Sequence, residues 1–390
     1  MPDPQRYNKI NQRFIERYQQ SPGLWVQAPG RVDLLGSHTD YNEGFVLTQA
    51  IDRNTWIAAR PRPDQRVRIA SLNTLGESEF DLQDIQYDHQ HPWTNYVRGV
   101  AQIFQQEGYP LQGFDGLIHS TIPFGSGLSS SAALEVATAT LFQALGGWQM
   151  AAVELAKLCL RAEREFVGLN CGILDQYSSA LGQANTVMLL DCRSITHQSC
   201  HLAAGLQVVI CDTRAERSLT GSEYAERRAQ CEQGVALLAR QYPAIRALRD
   251  ASLAQLEAQR EQLPPVVYKR CHFIIAENQR VLALAEALEQ GQHERSGQLA
   301  LESFAGARDL YEIVSPEMQA MMDAMQSAPG FFGGRGAGAG FGGCLVAFVE
   351  SAQVAAFSAQ VEAHYQAHTS IQPQVYPVQA AAGAGVLIQE

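Results

Sequence analysis

The hydrophobic positions of this chain change period several times along its length, and those changes outline its elements. Short runs with strand character are separated by glycine turns in the first half: LWVQAPGRVDLLG, GFVLTQAI, TWIAARPR, RVRIASL and DGLIHSTIP. Helical spacing then predicts an Ala/Leu-rich helix from about Ser130 to Leu145 and another from about Ala151 to Val167. TVMLLDCRS reads as a strand closing this half. A new strand, LQVVICDT, opens near Leu206, and long helices are predicted from Glu223 to Gln241 and from Val266 to Gln290. The glycine-dense FFGGRGAGAGFGG leads into a further strand, CLVAFVE. There is neither a regular βαβ alternation nor an all-helical run, so the pattern predicts two α+β domains, residues 1–200 and 201–390. The length agrees, because 390 residues exceed what one core organises, and ligands favour the cleft between two.

Charge narrows the possible ligands. A formal net charge of -11 argues against a general nucleic-acid or anionic-membrane surface, either of which needs a basic field. Any phosphate must then be held locally, by backbone N–H groups, a helix N-terminus, a few basic side chains or a metal ion. The polar start MPDPQRYNKINQRFIERYQQ has no apolar signal core, and no run of eighteen apolar residues occurs, so no membrane partner and a cytoplasmic location are expected. Eight cysteines without a CxxC pair point to reduced thiols and to no zinc site.

Three motifs carry chemistry. In PFGSGLSSSAALEVA, residues 123–137, Gly125 and Gly127 permit tight turns and three serines stand at a helix entrance, where free N–H groups suit a phosphate and a serine can cap the helix. It is not a Walker A loop, because the lysine is absent. In APGRVDLLGSHTDYNEGFVL, residues 28–47, Gly36 is followed by a dense group of hydrogen-bonding side chains that suits a polyol, with Asp40 able to accept from two adjacent hydroxyls. In GGRGAGAGFGGC, residues 333–344, a GxGxxG string precedes a strand instead of opening a helix. That order speaks against a dinucleotide fold and for a close backbone approach to a ligand or a neighbouring segment.

Taken in order, the motifs resemble the galactokinase branch of the GHMP kinase superfamily. GRVDLLGSHTDYN (30–42) is similar to the family's approximate GRVNLIGEHTDYN, and the PxGxGLSSSA loop is intact. The resemblance continues through WTNYVRGV, RAEREFVGLNCGILDQYSSALGQ, GSEYAERRAQCE and ESFAGARDLYEIVSPE to GAGFGGC, from about residue 25 to about residue 345. It implies a two-domain GHMP kinase fold with the active site in the interdomain cleft, and ATP-dependent phosphorylation of a sugar's C1 hydroxyl with Mg2+ as cofactor. It implies Asp175 and Arg31 as the catalytic pair, and Ser131 and Glu163 as magnesium ligands. Asp40, His38, Ser37, Gly172 and Tyr224 would contact the sugar. Pro123, Gly125, Ser126, Gly127, Leu128, Ser129, Ser130, Ser131 and Ala132 would form the ATP loop, with Trp93 and Tyr96 near the adenine. The expected partners are a small sugar and ATP, and the expected state is a monomer.

Two departures fall in the sugar motif. Asp33 stands where the family usually has Asn, and Ser37 where it usually has the Glu that contacts the sugar's C6 hydroxyl. Serine removes a charged acceptor and relieves repulsion of a negative group there. D-Galactose is the leading expectation, with L-arabinose and D-galacturonate as alternatives, and a uronate would want a cation that the sequence does not locate. Gly336-Ala337 replaces a common Met-Thr, and Phe304 a frequent histidine. A non-catalytic sugar and ATP sensor is the alternative from another class. The intact serine loop argues against it, and the HTDYN group argues against kinases of isoprenoid or amino-acid alcohols.

Overall fold

The computed structural model describes residues 3–169, 171–215, 222–338 and 340–389. Its strands are β1 (Leu24–Leu35), β2 (Phe45–Pro61), β3 (Arg66–Ser71), β4 (Glu77–Asp81), β5 (Phe114–Ser120), β6 (Thr186–Asp191), β7 (Thr196–His201), β8 (Leu206–Asp212), β9 (Phe331–Gly336), β10 (Cys344–Glu350), β11 (Gln374–Val378) and β12 (Gly385–Gln389). Its helices are α1 (Pro4–Tyr18), α2 (Asn95–Gln106), α3 (Ser130–Gly146), α4 (Ala152–Arg161), α5 (Leu174–Leu181), α6 (Ser222–Gln241), α7 (Leu253–Ala258), α8 (Pro265–Glu289), α9 (His293–Gly306), α10 (Pro316–Gln326) and α11 (Val354–Thr369). The α+β reading of the sequence is thus met.

Local departures from the expected elements have physical causes. GFVLTQAI and TWIAARPR are one strand, β2, because β1 pairs along nearly its whole length and carries the polar Asn54 in the ladder opposite Pro29. Half of the glycine-dense run is also a strand, since Gly333 to Gly336 of β9 pair with β10. Its glycines let α9 lie directly on it: a Cβ at Gly297 would overlap the Phe332 carbonyl, and one at Gly333 would overlap Gly297. α3 is buried on every side from Ala132 to Phe142, as befits a helix that is apolar all round. α4 runs on into a π-helical turn, Ala162–Val167. Such turns recur at functional sites, and this one carries Glu163.

The first sheet has the order β12-β1-β2-β5-β3-β4, with β6 on β2 and β7 on β6; the second is β11-β8-β10-β9. α2 and α3 pack against the first sheet through Val97, Ala137 and Phe142, which meet Ile57 and Phe114. A second core joins Val32 and Leu34 of β1 to Val208 and Val346 of the second sheet and to Val281 and Leu284 of α8. The two halves therefore share a hydrophobic floor beneath the cleft. Among the described residues no helix is long and apolar enough to cross a membrane. Six of the eight cysteines are buried.

The last strand returns to the first sheet. β12 pairs with β1, and Leu387 and Ile388 pack beside Trp25 and Trp56. Deleting residues 381–390 should expose the β1 edge and remove this packing, costing about 2–4 kcal/mol. A thermal melt should show Tm lower by several degrees, and an unchanged Tm would show that β12 adds nothing to the sheet.

Candidate active site

A cavity of about 900 Å³ opens between the two halves, lined by Arg31, Asp40 and Asp175 from the first and by Tyr224, Gly338 and Phe341 from the second. At its centre Arg31, on β1, grips Asp175 in the first turn of α5. Arg31 Nε and Nη2 donate to the same carboxylate oxygen, Asp175 Oδ1, at 2.9 and 2.6 Å. Oδ2 has no hydrogen bond among the described residues. Burial alone would lower the Arg31 pKa, but Asp175 and Asp33 outweigh it and hold the guanidinium above its usual value. Arg31 Nη1 donates to the Gly127 carbonyl at 2.6 Å, so one side chain ties the carboxylate to the serine loop.

That loop is built for an anion. Ser126 Oγ donates to the Pro123 carbonyl at 2.8 Å and closes the turn. The Leu128 side chain is buried in the shared core, while its carbonyl accepts the Arg31 N–H at 3.2 Å. Ala132 is fully buried in α3. These residues shape the loop through backbone and packing. Ser129 does not cap α3 with its side chain, contrary to the sequence expectation, because its left-handed backbone (φ 59°) turns the hydroxyl away. Its Oγ is buried with no partner, next to the free N–H groups of a 17-residue helix. A phosphate oxygen would satisfy both.

Glu163 lies across from the loop. Its Oε2 accepts from Gln176 Nε2 at 2.6 Å and from Cys171 Sγ at 3.0 Å, and the Ser131 hydroxyl also bonds to it. The same Gln176 Nε2 donates to Glu135 at 2.9 Å. Burial raises the pKa of both carboxyls, most strongly at Glu135, and each is pushed further up by a neighbouring carboxylate, Asp175 for Glu163 and Glu163 for Glu135. No ion pair reaches either among the described residues. A hydroxyl and a carboxylate without a protein counter-charge fit a hard divalent cation completed by phosphate oxygens and waters.

The polyol group surrounds the opposite end. Asp40 is pushed up to about 6, by burial first, against the Tyr41 N–H and with Asp175 adding to the rise. Gly172 is required beside it, since a Cβ there would overlap Asp40 Oδ2. His38 sits in a left-handed conformation (φ 68°), a strained choice of the kind found at binding sites. Its Nδ1 shares a hydrogen bond with Tyr41 Oη at 2.9 Å, and Tyr41 Oη in turn with Tyr311 Oη at 2.7 Å. The Tyr224 ring lies 5.3 Å from the His38 ring. Ser37 lines the cavity beside Asp33.

Trp93 and Tyr96 are not brought to this cavity; both pack against the core under the first sheet, and Tyr96 lies near Glu163. Reasoning from sequence passed over Arg335, Cys171, Gln176 and the Tyr41–Tyr311 pair. Arg335 had a visible signal, as the one charged residue in a twelve-residue glycine run. The third glycine loop meets a neighbouring segment: a Cβ at Gly338 would lie 3.5 Å from the Gly127 carbonyl of the serine loop.

Comparison with known proteins places these features in context. Residues 95–183 match the model of the GHMP kinases N terminal domain, residues 12–61 the galactokinase galactose-binding signature, and residues 284–367 the GHMP kinases C terminal model. The chain is 44% identical to a galactokinase of Chloroflexus aggregans over 373 residues, 95% of each protein. It is 42% identical to a galactokinase of Roseiflexus over 377 residues, 97% of this chain and 96% of that one. The crystal structure of Lactococcus lactis galactokinase complexed with galactose superposes with a TM-score of 0.93 at 31% identity, covering 98% of this chain and 100% of that one. A mevalonate kinase, at TM-score 0.62 and 16% identity over 91% of this chain and 98% of that one, shares the fold.

The Asp40 environment sets a pH dependence. A sugar that needs the ionised carboxylate as acceptor should bind more weakly as pH falls through about 6, roughly tenfold by pH 5. Calorimetry with galactose between pH 5 and 8 should show this slope, and Asp40→Asn should flatten it while weakening binding throughout. Gly172→Ala should raise the galactose Kd at least about tenfold by displacing Asp40.

Proposed function

The chain belongs to the galactokinase family of the GHMP kinases, and from that premise we propose that it transfers the γ-phosphoryl group of ATP to the C1 hydroxyl of D-galactose. The observation that carries the reading is the Arg31–Asp175 pair, which lines the cavity with one carboxylate oxygen held by the guanidinium. Asp175 Oδ2 accepts the C1 hydroxyl, orients its oxygen toward the γ-phosphorus and takes its proton as the new bond forms. Arg31 keeps that carboxylate in place and adds positive charge beside the transferring group. The N–H groups opening α3 and the Ser129 hydroxyl hold the phosphates. Ser131 and Glu163 would hold a magnesium ion, which would neutralise charge on the phosphate oxygens. Asp40, His38, Gly172 and Tyr224 seat the sugar ring.

The same reading takes residues 1–200 and 201–390 as the two domains, with β12 returned to the first, and a cytoplasmic setting that suits eight cysteines without a CxxC pair. Coupled assay of ADP release should show galactose-dependent turnover. Asp175→Asn keeps the shape but loses the acceptor charge, so turnover should fall at least about a thousandfold while ATP affinity stays within about threefold. Full activity in that variant, or ADP release indifferent to any sugar, would overturn the assignment.

A further inference from the structure

One buried carboxyl beside the site takes no part in the reaction described above. Glu135 lies one helical turn along α3 from Ser131, on the same face, and is 0% exposed. Gln176, which follows Asp175 in α5, is buried as completely. Its Nε2 stands between two carboxyls, 2.9 Å from Glu135 Oε2 and 2.6 Å from Glu163 Oε2. An amide nitrogen has two protons and accepts nothing, so it gives one proton to each. The opposite orientation would set the amide oxygen against both carboxyls. The observed one leaves Gln176 Oε1 and Glu135 Oε1 buried without a hydrogen-bond partner among the described residues. Buried acceptors are seldom left so, and what the orientation secures lies at its other end, on Glu163.

Gln176 Nε2 and Cys171 Sγ both donate to Glu163 Oε2, at 2.6 and 3.0 Å, and neither takes Oε1. Resting on the reading that Ser131 and Glu163 hold the divalent cation, we infer that Glu135 is a positioning residue for that site: acting through Gln176, it holds the Glu163 carboxyl by one oxygen and keeps the other available to the ion. Glu135 accepts one amide proton and so fixes the second on Glu163. With no acceptor at position 135 the amide is free to turn, and Glu163 Oε2 loses its amide donor. The role is that of a hydrogen-bond acceptor, not of a charge. Three elements meet at this amide: α3 with the serine loop at its start, α5 with Asp175, and the π-helical turn with Glu163. The side chains that orient a metal ligand commonly tune its affinity for the ion, although they never touch it.

Paramagnetic resonance titration of Mn2+ into the full chain with ADP reads the site without turnover. In Glu135→Met the Kd of protein-bound Mn2+ should rise at least about tenfold. Gln176→Met should raise it by a similar factor, and the double variant Glu135→Met/Gln176→Met no further, because the first residue acts through the second. Glu135→Gln keeps an acceptor oxygen and should stay within about threefold of the wild type. The galactose Kd, from calorimetry, should move less than about twofold in all four variants. An unchanged Mn2+ Kd in Glu135→Met, equal losses in Glu135→Gln and Glu135→Met, additive losses in the double variant, or Mn2+ and galactose weakened together would each overturn the inference and leave the galactokinase reading intact. If Glu135→Met does not fold, Glu135→Leu decides by the same titration. Wild-type Mn2+ binding indifferent to both Ser131→Ala and Glu163→Gln would overturn the cation assignment itself, and the inference with it.

Discussion

One buried arginine holds the parts of the site together. Arg31 is 6% exposed and cannot be left unpaired there, and its partners come from segments far apart in the chain: the Asp175 carboxylate of α5 and the Gly127 carbonyl of the serine loop. β1 holds the guanidinium through its long pairing with β2, so the strand acts as the fixed member of the assembly. The loop and the helix are then docked on it. Removing one partner of such a pair leaves an uncompensated buried charge, which is why the geometry is an all-or-none property of the fold.

The electrostatics around this pair are unequal. Asp33 is held below the usual carboxylate range because Arg335 and Arg31 offset its burial. Asp40, Glu135 and Glu163 are raised because no cation does the same for them. The cavity thus has a compensated wall at β1 and an uncompensated one around Glu163. A divalent cation would balance the second wall, and its charge would come into the site together with the nucleotide that also needs it. The chain therefore meets a highly anionic substrate with few basic side chains, in keeping with its overall negative charge.

How much of this was legible beforehand depended on whether the signal was local. The strand runs and the long helices followed from periodicity, and α3 was expected to within a residue because its alanines and leucines bury on all sides. Asp40 was named from the polar group of its own motif, Gly172 and Asp175 through the family resemblance, and Gly172 leaves space for Asp40. The left-handed Ser129, which frees its hydroxyl from capping, carries no composition signature, because serine commonly caps helices. Likewise β12 is short, and its place beside β1 depends on a pairing partner more than 350 residues away. Long-range pairing of this kind leaves no local trace.

The third glycine loop makes the close backbone approach that its sequence suggested: Gly333 lies against α9 and Gly338 against the serine loop. Ala337, where the family commonly has a threonine, is fully buried in the apolar core that the two halves share. The loop's role is then carried by its backbone. The Gly338 N–H binds Asp33, and through Asp33 and Arg335 the second sheet is locked to β1. Ser37 bonds to both members of that ion pair and, with Asp33, lines the cavity, so the joint between the halves is also part of the cavity wall.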